Sequence, residues 1–592
     1  MSYGCVDRDT TNSSLSWAFL AVTLTATALA YFVWPIRAGL GHLVIGSAIF
    51  APDAVLNIGI LEWGYASIQS PDLKLFEWTA GFPMNNTLAA TENLLGWQPA
   101  YFMLRSAELG PVGAYNALLV SSIPISGMTT ALLARQLGAS RTGAFISAFV
   151  FAFAPFHISQ LGHIQIMGVC WAPLPFLFLD RLLGRGRWRD AGALTLAFLV
   201  VCTSSMYVGV FVVMGLILYV AAATITGRCH LTVPTSGRLA VSALVAIVAL
   251  SPLLSRYWRF RTDHELRHPA GLIIQRSLGL EDFLRPPGWQ RALPRAAPTD
   301  LNGTPPEVPR VGQAGNAVRG GIDLRGAFPG AVALALVLSW FAFRQRTPAL
   351  RPAGTTLLLL VAAITALSLG PSLKIHSGYE SRFADYVPLP GAIWYWIPGI
   401  RNVWKFHILG VLFGSLLCGF GVTAMLKPLR ARQRFVIVAG VLGLSLLENW
   451  PATWVTEASH ELPAPLALSD AYPYLAHEAS AGGVVELPIA DASGYQTPML
   501  TRYAYGSAGH HRRVVAIHGT ARLPVTTLLL DAANALPDPR SLETLVSAGV
   551  TRLVVHRALM PRDAGELLIA RLRAAGYPIV FAGRESVVFG IK

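Results

Sequence analysis

Between Ala51 and Trp97 the chain carries Asp53, Glu62, Asp72, Glu77 and Glu92, five carboxylates in a sequence that is only 13% charged. They follow directly on a long apolar run, where a charge is costly unless it has a task. A carboxylate in that position can serve as a general base, taking a proton from a hydroxyl or amine as that group attacks an electrophile. Asp53, nearest the apolar run, is the candidate base. Glu92, at the far end of the stretch, is the second candidate, and Glu62 reads as structural or as orienting a substrate. Asp72 and Glu77 read as solvated surface.

Cations that could meet such chemistry lie elsewhere. Arg256, Arg259, Arg261, Arg267 and Arg276 fall in a Pro-, Gly- and Arg-rich segment of about 70 residues, too long for a simple connection, with a helix predicted over Ile273 to Leu284. Two ligands suit them: a phosphate-bearing molecule held by guanidinium groups, or the anionic headgroups of a membrane surface. Arg401, Lys405 and His407 stand where the chain enters a later apolar run, within reach of a lipid phosphate or of any headgroup by snorkelling. A third polar cluster, His157, Gln160, His163 and Gln165, sits between two apolar runs. Histidines six apart do not share one helix face, so hydrogen bonding to a substrate or a tight turn is expected ahead of metal ligation.

The elements that must position these groups follow from composition. A chain of 592 residues, 53% hydrophobic, is a polytopic membrane protein. Its formal charge of +14 is dispersed among short loops, which reports topology and excludes a nucleic-acid partner. The five cysteines form no CxxC or metal-ligand spacing. Eleven apolar spans are predicted, near 16–34, 112–133, 142–159, 164–182, 190–203, 207–225, 239–257, 328–343, 355–369, 406–426 and 435–447. Arginines recur in alternate connections: Arg135 and Arg141; Arg181 to Arg189; Arg228 and Arg238; Arg344 to Arg351; Arg430 to Arg434. The positive-inside rule makes that side cytoplasmic. The N-terminus is then inside, and the loops at about 35–111, 258–326 and 371–403 are outside.

Past residue 450 the composition changes. A proline-rich linker leads into alternating strand and helix patterns: GGVVELPI, RRVVAIHG and VTRLVVHR as strands, PVTTLLLDAANAL, RSLETLVSAG and GELLIARLRAAG as helices, and YPIVFAGRESVVFGI as a hairpin. The expected organisation is a transmembrane domain over 1–450 and a small soluble extracytoplasmic α/β domain over 451–592. The histidines of the latter (His510, His511, His518, His556) lack a metal-ligand spacing and read as surface or strand packing.

Read in order, Asp53, Asn57 and Trp63, then LFEWTAGFP, TENLLG, YNALLVSSIPISGMTTALLARQLG, FAFAPFHISQLGHIQIM, LSLGPSL and VPLPGAIWYWIPGIRNVWKFHILG resemble a group of bacterial GT-C type membrane glycosyltransferase-like proteins over most of the chain. This sequence differs from the group in having Ala54 after the aspartate, and His157 and Gln160 where an Arg and a His are more usual. The resemblance implies a polytopic fold of the bacterial inner membrane with a catalytic acid in the first external loop. It also implies sugar transfer from a polyprenyl-phosphate donor to a cell-envelope glycan, lipid or protein acceptor, with Asn57, Glu62, His157, His163 and Gln165 in substrate contact. No nucleotide-sugar pool exists outside the cytoplasm, so a donor must arrive attached to lipid. Phosphate is already a competent leaving group. The demands are then a base, Asp53, and cations for the departing phosphate, Arg267, Arg276, Arg401 and Lys405. Displacement assisted by one base inverts the anomeric carbon.

No Walker A loop, strand-associated GxGxxG, HExxH or GxSxG occurs, and the DxD-like triplet Asp7 to Asp9 lies in the N-terminal tail, so no cofactor is expected, with a divalent metal left open. Two other classes share some of these features: a transporter or flippase of lipid-linked saccharides, against which stands the lack of an internal repeat, and a non-catalytic membrane scaffold.

Overall fold

The computed structural model describes residues 11–266, 268–287, 326–375, 389–397, 399–450, 460–478, 482–490, 496–517 and 523–591. It is mostly helical. Helix α1 (Thr11–Ala28) runs on through π and 3-10 turns to Gly39. It is followed by α2 (Ser47–Gln69), α3 (Gln98–Ser106), α4 (Pro111–Gln136), α5 (Arg141–Ala152), α6 (Pro155–Ser159), α7 (Ile164–Met167) and α8 (Pro173–Arg185). Then come α9 (Trp188–Ser204), α10 (Met206–Ile225), α11 (Val233–Asp263), α12 (Ala270–Gln275), α13 (Ala331–Phe343), α14 (Arg351–Ser368), α15 (His407–Leu426) and α16 (Ala431–Glu448).

All eleven apolar stretches are helical, and eight described helical segments are long and apolar enough to cross a membrane. The three that fall short do so for visible reasons. Helix α9 has 17 residues, and α13 has 13, about 20 Å at 1.5 Å per residue, well under a hydrocarbon core of ~30 Å. Helix α16 begins with Arg432 and Arg434 in its first turn. The spanning helices approach closely through small residues, as lipid-embedded helices do. Gly143 of α5 lies against the Gly419 backbone of α15 and leaves no room for a Cβ on either side.

The structure departs from expectation within the stretch read as an external loop over 35–111: it holds a helix, α2, that begins at Ser47, so Asp53 stands in its second turn, and α2 is buried along most of its length. The helix expected over Ile273 to Leu284 is broken: α12 ends at Gln275, and a 3-10 turn forms at Leu280–Phe283. Between them Leu278 donates its N–H to Ser368 O (2.9 Å) and Leu280 to Lys374 O (2.9 Å), so backbone bonds to the end of α14 and to the chain just beyond it replace helical ones.

The C-terminal part holds a four-stranded sheet of β3 (Gly483–Leu487), β4 (Val550–His556), β5 (Ile579–Ala582) and β6 (Ser586–Gly590), in the order β3-β4-β6-β5. The first pair is parallel and the others antiparallel. Of the stretch RRVVAIHG, residues 512–517 are described and form no strand; Val514 makes single bridges to Val484 and to Ala80, because chain from the 70–97 stretch inserts beside it. The same stitching recurs twice. Strand β1 (Leu43–Val44) pairs with β2 (His460–Glu461), and α2 packs along α17 (Thr497–His510), with Gly59 against the Tyr505 backbone.

Candidate functional site

Asp53 is placed by the start of α2. Gly46, in the left-handed region at φ +79°, caps that helix, and a Cβ there would lie 2.6 Å from the Leu161 carbonyl carbon. The missing side chain lets the turn between α6 and α7 dock directly on the helix N-terminus. One turn past Asp53, Asn57 reaches the same turn, donating from Nδ2 to Gln165 Oε1 (2.8 Å) and Gly162 O (3.4 Å). Tyr115 of α4 donates to the same Gly162 carbonyl (3.4 Å). His163 then stands with Nε2 at 3.4 Å from Asp53 Oδ2. The histidine side chain is 8% exposed and the aspartate 32%, so the carboxylate is held on one side and open on the other.

The cations gather around Tyr207 at the start of α10. Its hydroxyl oxygen accepts from the backbone N–H of Arg401 (3.2 Å) and Asn402 (2.6 Å). Asn402 Oδ1 accepts from Arg276 Nη1 (2.8 Å), and Trp404 N–H donates to Arg276 O (3.1 Å). Lys405 is buried, its ammonium 5.5 Å from the Trp404 ring centroid, and lies within electrostatic range of Asp53, Glu92, Arg276 and Arg401. It is the group through which the acidic and basic halves of the site meet. His268 lies within range of Arg401, Arg261 and Arg276; burial first, and then those arginines, push its pKa down to about 4.

The other candidates are placed as follows. Glu92 accepts from Ser205 Oγ (3.2 Å) and from the N–H groups of Met206 (2.9 Å) and Tyr207 (3.2 Å). It therefore caps α10 with a favourable charge at a helix N-terminus and fixes Tyr207 in position; burial raises its pKa against those bonds. Glu62 stands about 13 Å further along α2, paired with Arg105 (2.6 Å) and Tyr101 (2.6 Å). His157 packs edge-on to Phe151 at 4.8 Å, and neither ring nitrogen has a hydrogen-bond partner among the described residues. Arg267 lies outside the described residues. The described residues contain no cluster of three or more His, Cys, Asp or Glu that could hold a metal ion.

Sequence reasoning missed Lys374. It is buried, and its ammonium donates to Ile274 O (2.7 Å) and Ser277 O (3.0 Å), with Gln275 O at 3.5 Å, gripping the chain on both sides of Arg276. A signal existed. Only five of the 46 basic residues are lysine, and two of them, Lys374 and Lys405, are buried, where a compact ammonium fits and a guanidinium does not.

No family model and no curated protein sequence matches the chain. Among solved structures it is similar to the arabinofuranosyltransferase AftD from mycobacteria, at TM-score 0.51 and 15% identity, over 97% of this chain and 41% of that one. The fold is GT-C-like. The chain spans less than half the length of AftD. Two others match at lower similarity: ArnT from Cupriavidus metallidurans (TM-score 0.45, 15% identity, 98% of both chains) and the oligosaccharyltransferase AglB from Archaeoglobus fulgidus (TM-score 0.46, 11% identity, 98% of this chain and 75% of that one). A GT-C-like chain with eight helices able to span is a multi-pass membrane protein.

Proposed function

We propose that the protein is a glycosyltransferase that moves a sugar from a polyprenyl-phosphate donor to an acceptor of the cell envelope, on the outer face of a bacterial inner membrane, with inversion. The observation that supports this reading is a partly open carboxylate, Asp53, with His163 Nε2 at 3.4 Å and the buried Lys405 in electrostatic range both of it and of Arg276 and Arg401.

In this reading Asp53 accepts the proton of the acceptor hydroxyl as its oxygen bonds to the anomeric carbon. The bond from that carbon to the phosphate oxygen breaks, and the electron pair leaves with the phosphate. Lys405, Arg276 and Arg401 balance the charge that collects there, and Arg267 is proposed to join them. His163 steadies one carboxylate oxygen, and Asn57 and Gln165 fix the turn that carries it. Glu92 acts through Tyr207 as a positioning residue. The eleven-span topology, with the N-terminus inside and 451–592 outside, puts all of these groups on one face and belongs to the same proposal.

The test is Asp53→Asn in membranes supplied with donor lipid and acceptor. Loss of a general base lowers transfer by about 10² to 10⁴ fold, with release of free polyprenyl phosphate falling in step. Transfer at the wild-type rate refutes Asp53 as the base.

A further inference from the structure

None of the residues placed at the candidate site lines an apolar groove of about 280 Å³ that runs along the outside of the helix bundle between α9 and α11. Trp188, Gly192, Leu196 and Leu199 line one wall, and Val241 and Val245 the other. Its floor is closed: Thr195 and Ser242 share a hydroxyl hydrogen bond of 2.7 Å, and Ser242 also reaches Ala191 O at 3.2 Å. The lining therefore has no polar group asking for a polar partner. Leu196 is 65% exposed and Val245 49%, so the groove opens sideways toward the lipid. A Cβ on Gly192, an exposed lining residue, would meet nothing within 4 Å, so a side chain there extends into the open space of the trough.

Its shape limits the occupant. The walls are two helices in contact, and a trough of about 280 Å³ holds a hydrocarbon chain and not a helix ~10 Å across. From Trp188 to Leu199 it extends ~17 Å, close to the ~15 Å depth of one leaflet's hydrocarbon. Its two ends differ. At the Leu199 end, α9 goes on to Thr203, whose carbonyl accepts from Gly96 N–H (2.9 Å) close to Glu92, on the side of the candidate site. At the other end stand the N-termini of both helices, which attract anions, with exposed Arg187 and Arg189 beside Trp188. Arg238 lies over the Trp188 ring at 5.5 Å, and its buried Nε has no hydrogen-bond partner among the described residues.

We infer that this groove binds one anionic glycerophospholipid of the leaflet at the basic end, with an acyl chain between α9 and α11 and the headgroup phosphate at Arg238, Arg187 and Arg189. The site is separate from the candidate active site and does not depend on the proposed reaction.

Native mass spectrometry of the full chain in detergent, titrated with phosphatidylglycerol, phosphatidylcholine or a polyprenyl phosphate of matched concentration, tests it. One phosphatidylglycerol is retained per chain, preferred over phosphatidylcholine by at least about fivefold, the attraction of one arginine to an anionic headgroup. Arg238→Gln reduces that preference by about the same factor. Gly192→Leu, which fills the trough in a position free of clashes, removes retention of both phospholipids while the melting temperature holds. If Gly192→Leu does not yield folded protein, Arg238→Gln decides the matter alone. Equal retention of the two phospholipids by the wild type overturns the inference. So does displacement of phosphatidylglycerol by the polyprenyl phosphate, retention untouched by Arg238→Gln, or a changed oligomeric state in Gly192→Leu, which would make the occupant a second copy of the chain.

Discussion

Replacing Lys374 with methionine separates positioning from stability in the proposed phosphate site. The ammonium is 1% exposed and makes two well-formed bonds, to Ile274 O at 2.7 Å and Ser277 O at 3.0 Å. Bonds from a charged donor contribute about 1.5–3 kcal/mol each, so methionine forfeits roughly 3–6 kcal/mol of local interaction. Against that, the desolvation of a buried ammonium, itself several kcal/mol, no longer has to be met. The net change in global stability is then about 1–3 kcal/mol, a modest fall in melting temperature. The carbonyls on either side of Arg276 have no such offset: Ser277 O loses the ammonium, Ile274 O is left with Ser277 as its donor (Oγ at 2.7 Å), and the segment is freer to shift. A guanidinium displaced by about 1 Å weakens a phosphate contact by about 2 kcal/mol, some thirtyfold in affinity. Isothermal titration of the purified chain with polyprenyl phosphate reads this directly. Affinity within twofold of wild type in a folded Lys374→Met protein would refute the positioning role, or show that the arginines do not bind the phosphate. Titration of Arg276→Gln separates these two, since it weakens binding only if they do.

Further tests address the rest of the site. Arg105→Met leaves Glu62 with Tyr101 alone; breaking this half-buried pair costs about 2–3 kcal/mol, seen as a lower melting temperature that Arg105→Lys restores only in part. Gly59→Leu forces apart α2 and α17, since even a Cβ at Gly59 would lie 3.1 Å from Tyr505 Cα; limited proteolysis between the two halves of the chain should accelerate, at a cost of about 1–3 kcal/mol or more. His268, with its pKa near 4 in the folded chain against about 6.5 unfolded, stays neutral when the unfolded chain protonates. Its contribution to stability is whole above pH 6.5 and is lost as pH falls through 4. A phosphate among Arg261, Arg276 and Arg401 relieves that depression, so phosphate binding near pH 5.5 takes up a proton, measurable by titration in buffers of different ionisation enthalpy and abolished by His268→Gln.

Much of the helical frame is legible from apolar runs, because a lipid-facing helix must be apolar over most of its length whatever its partners. Helix α2 is harder to read. It is apolar on nearly every face and interrupted by Pro52 and Asp53, and what buries it is α17, more than 400 residues away. No local period announces a partner so remote. Asp53, His163 and Lys405 are legible as polar residues at the ends of apolar runs, where charge is expensive. Their convergence is not, since it depends on Gly46 letting a turn pass and on Tyr207 receiving two backbone N–H groups. Lys374 is invisible for a related reason: its partners are carbonyls, which every residue carries. Residues 512–517 have strand composition but lie between β3 and a strip of the 70–97 stretch, touching each by a single bridge at Val514, and composition does not say which neighbour will arrive.

The stitching of residues 43–44 to 460–461, of Ala80 to Val514 and of Gly59 to Tyr505 bears on how the protein is made. During synthesis the N-terminal segments emerge first, and the helix bearing Asp53 must wait for chain made more than 400 residues later before its apolar surface is covered. Until then that surface stays uncovered. A nascent chain stopped near residue 450 would hold its membrane helices and still lack the helix that covers α2, so the candidate site is completed only by chain made after the last membrane helix.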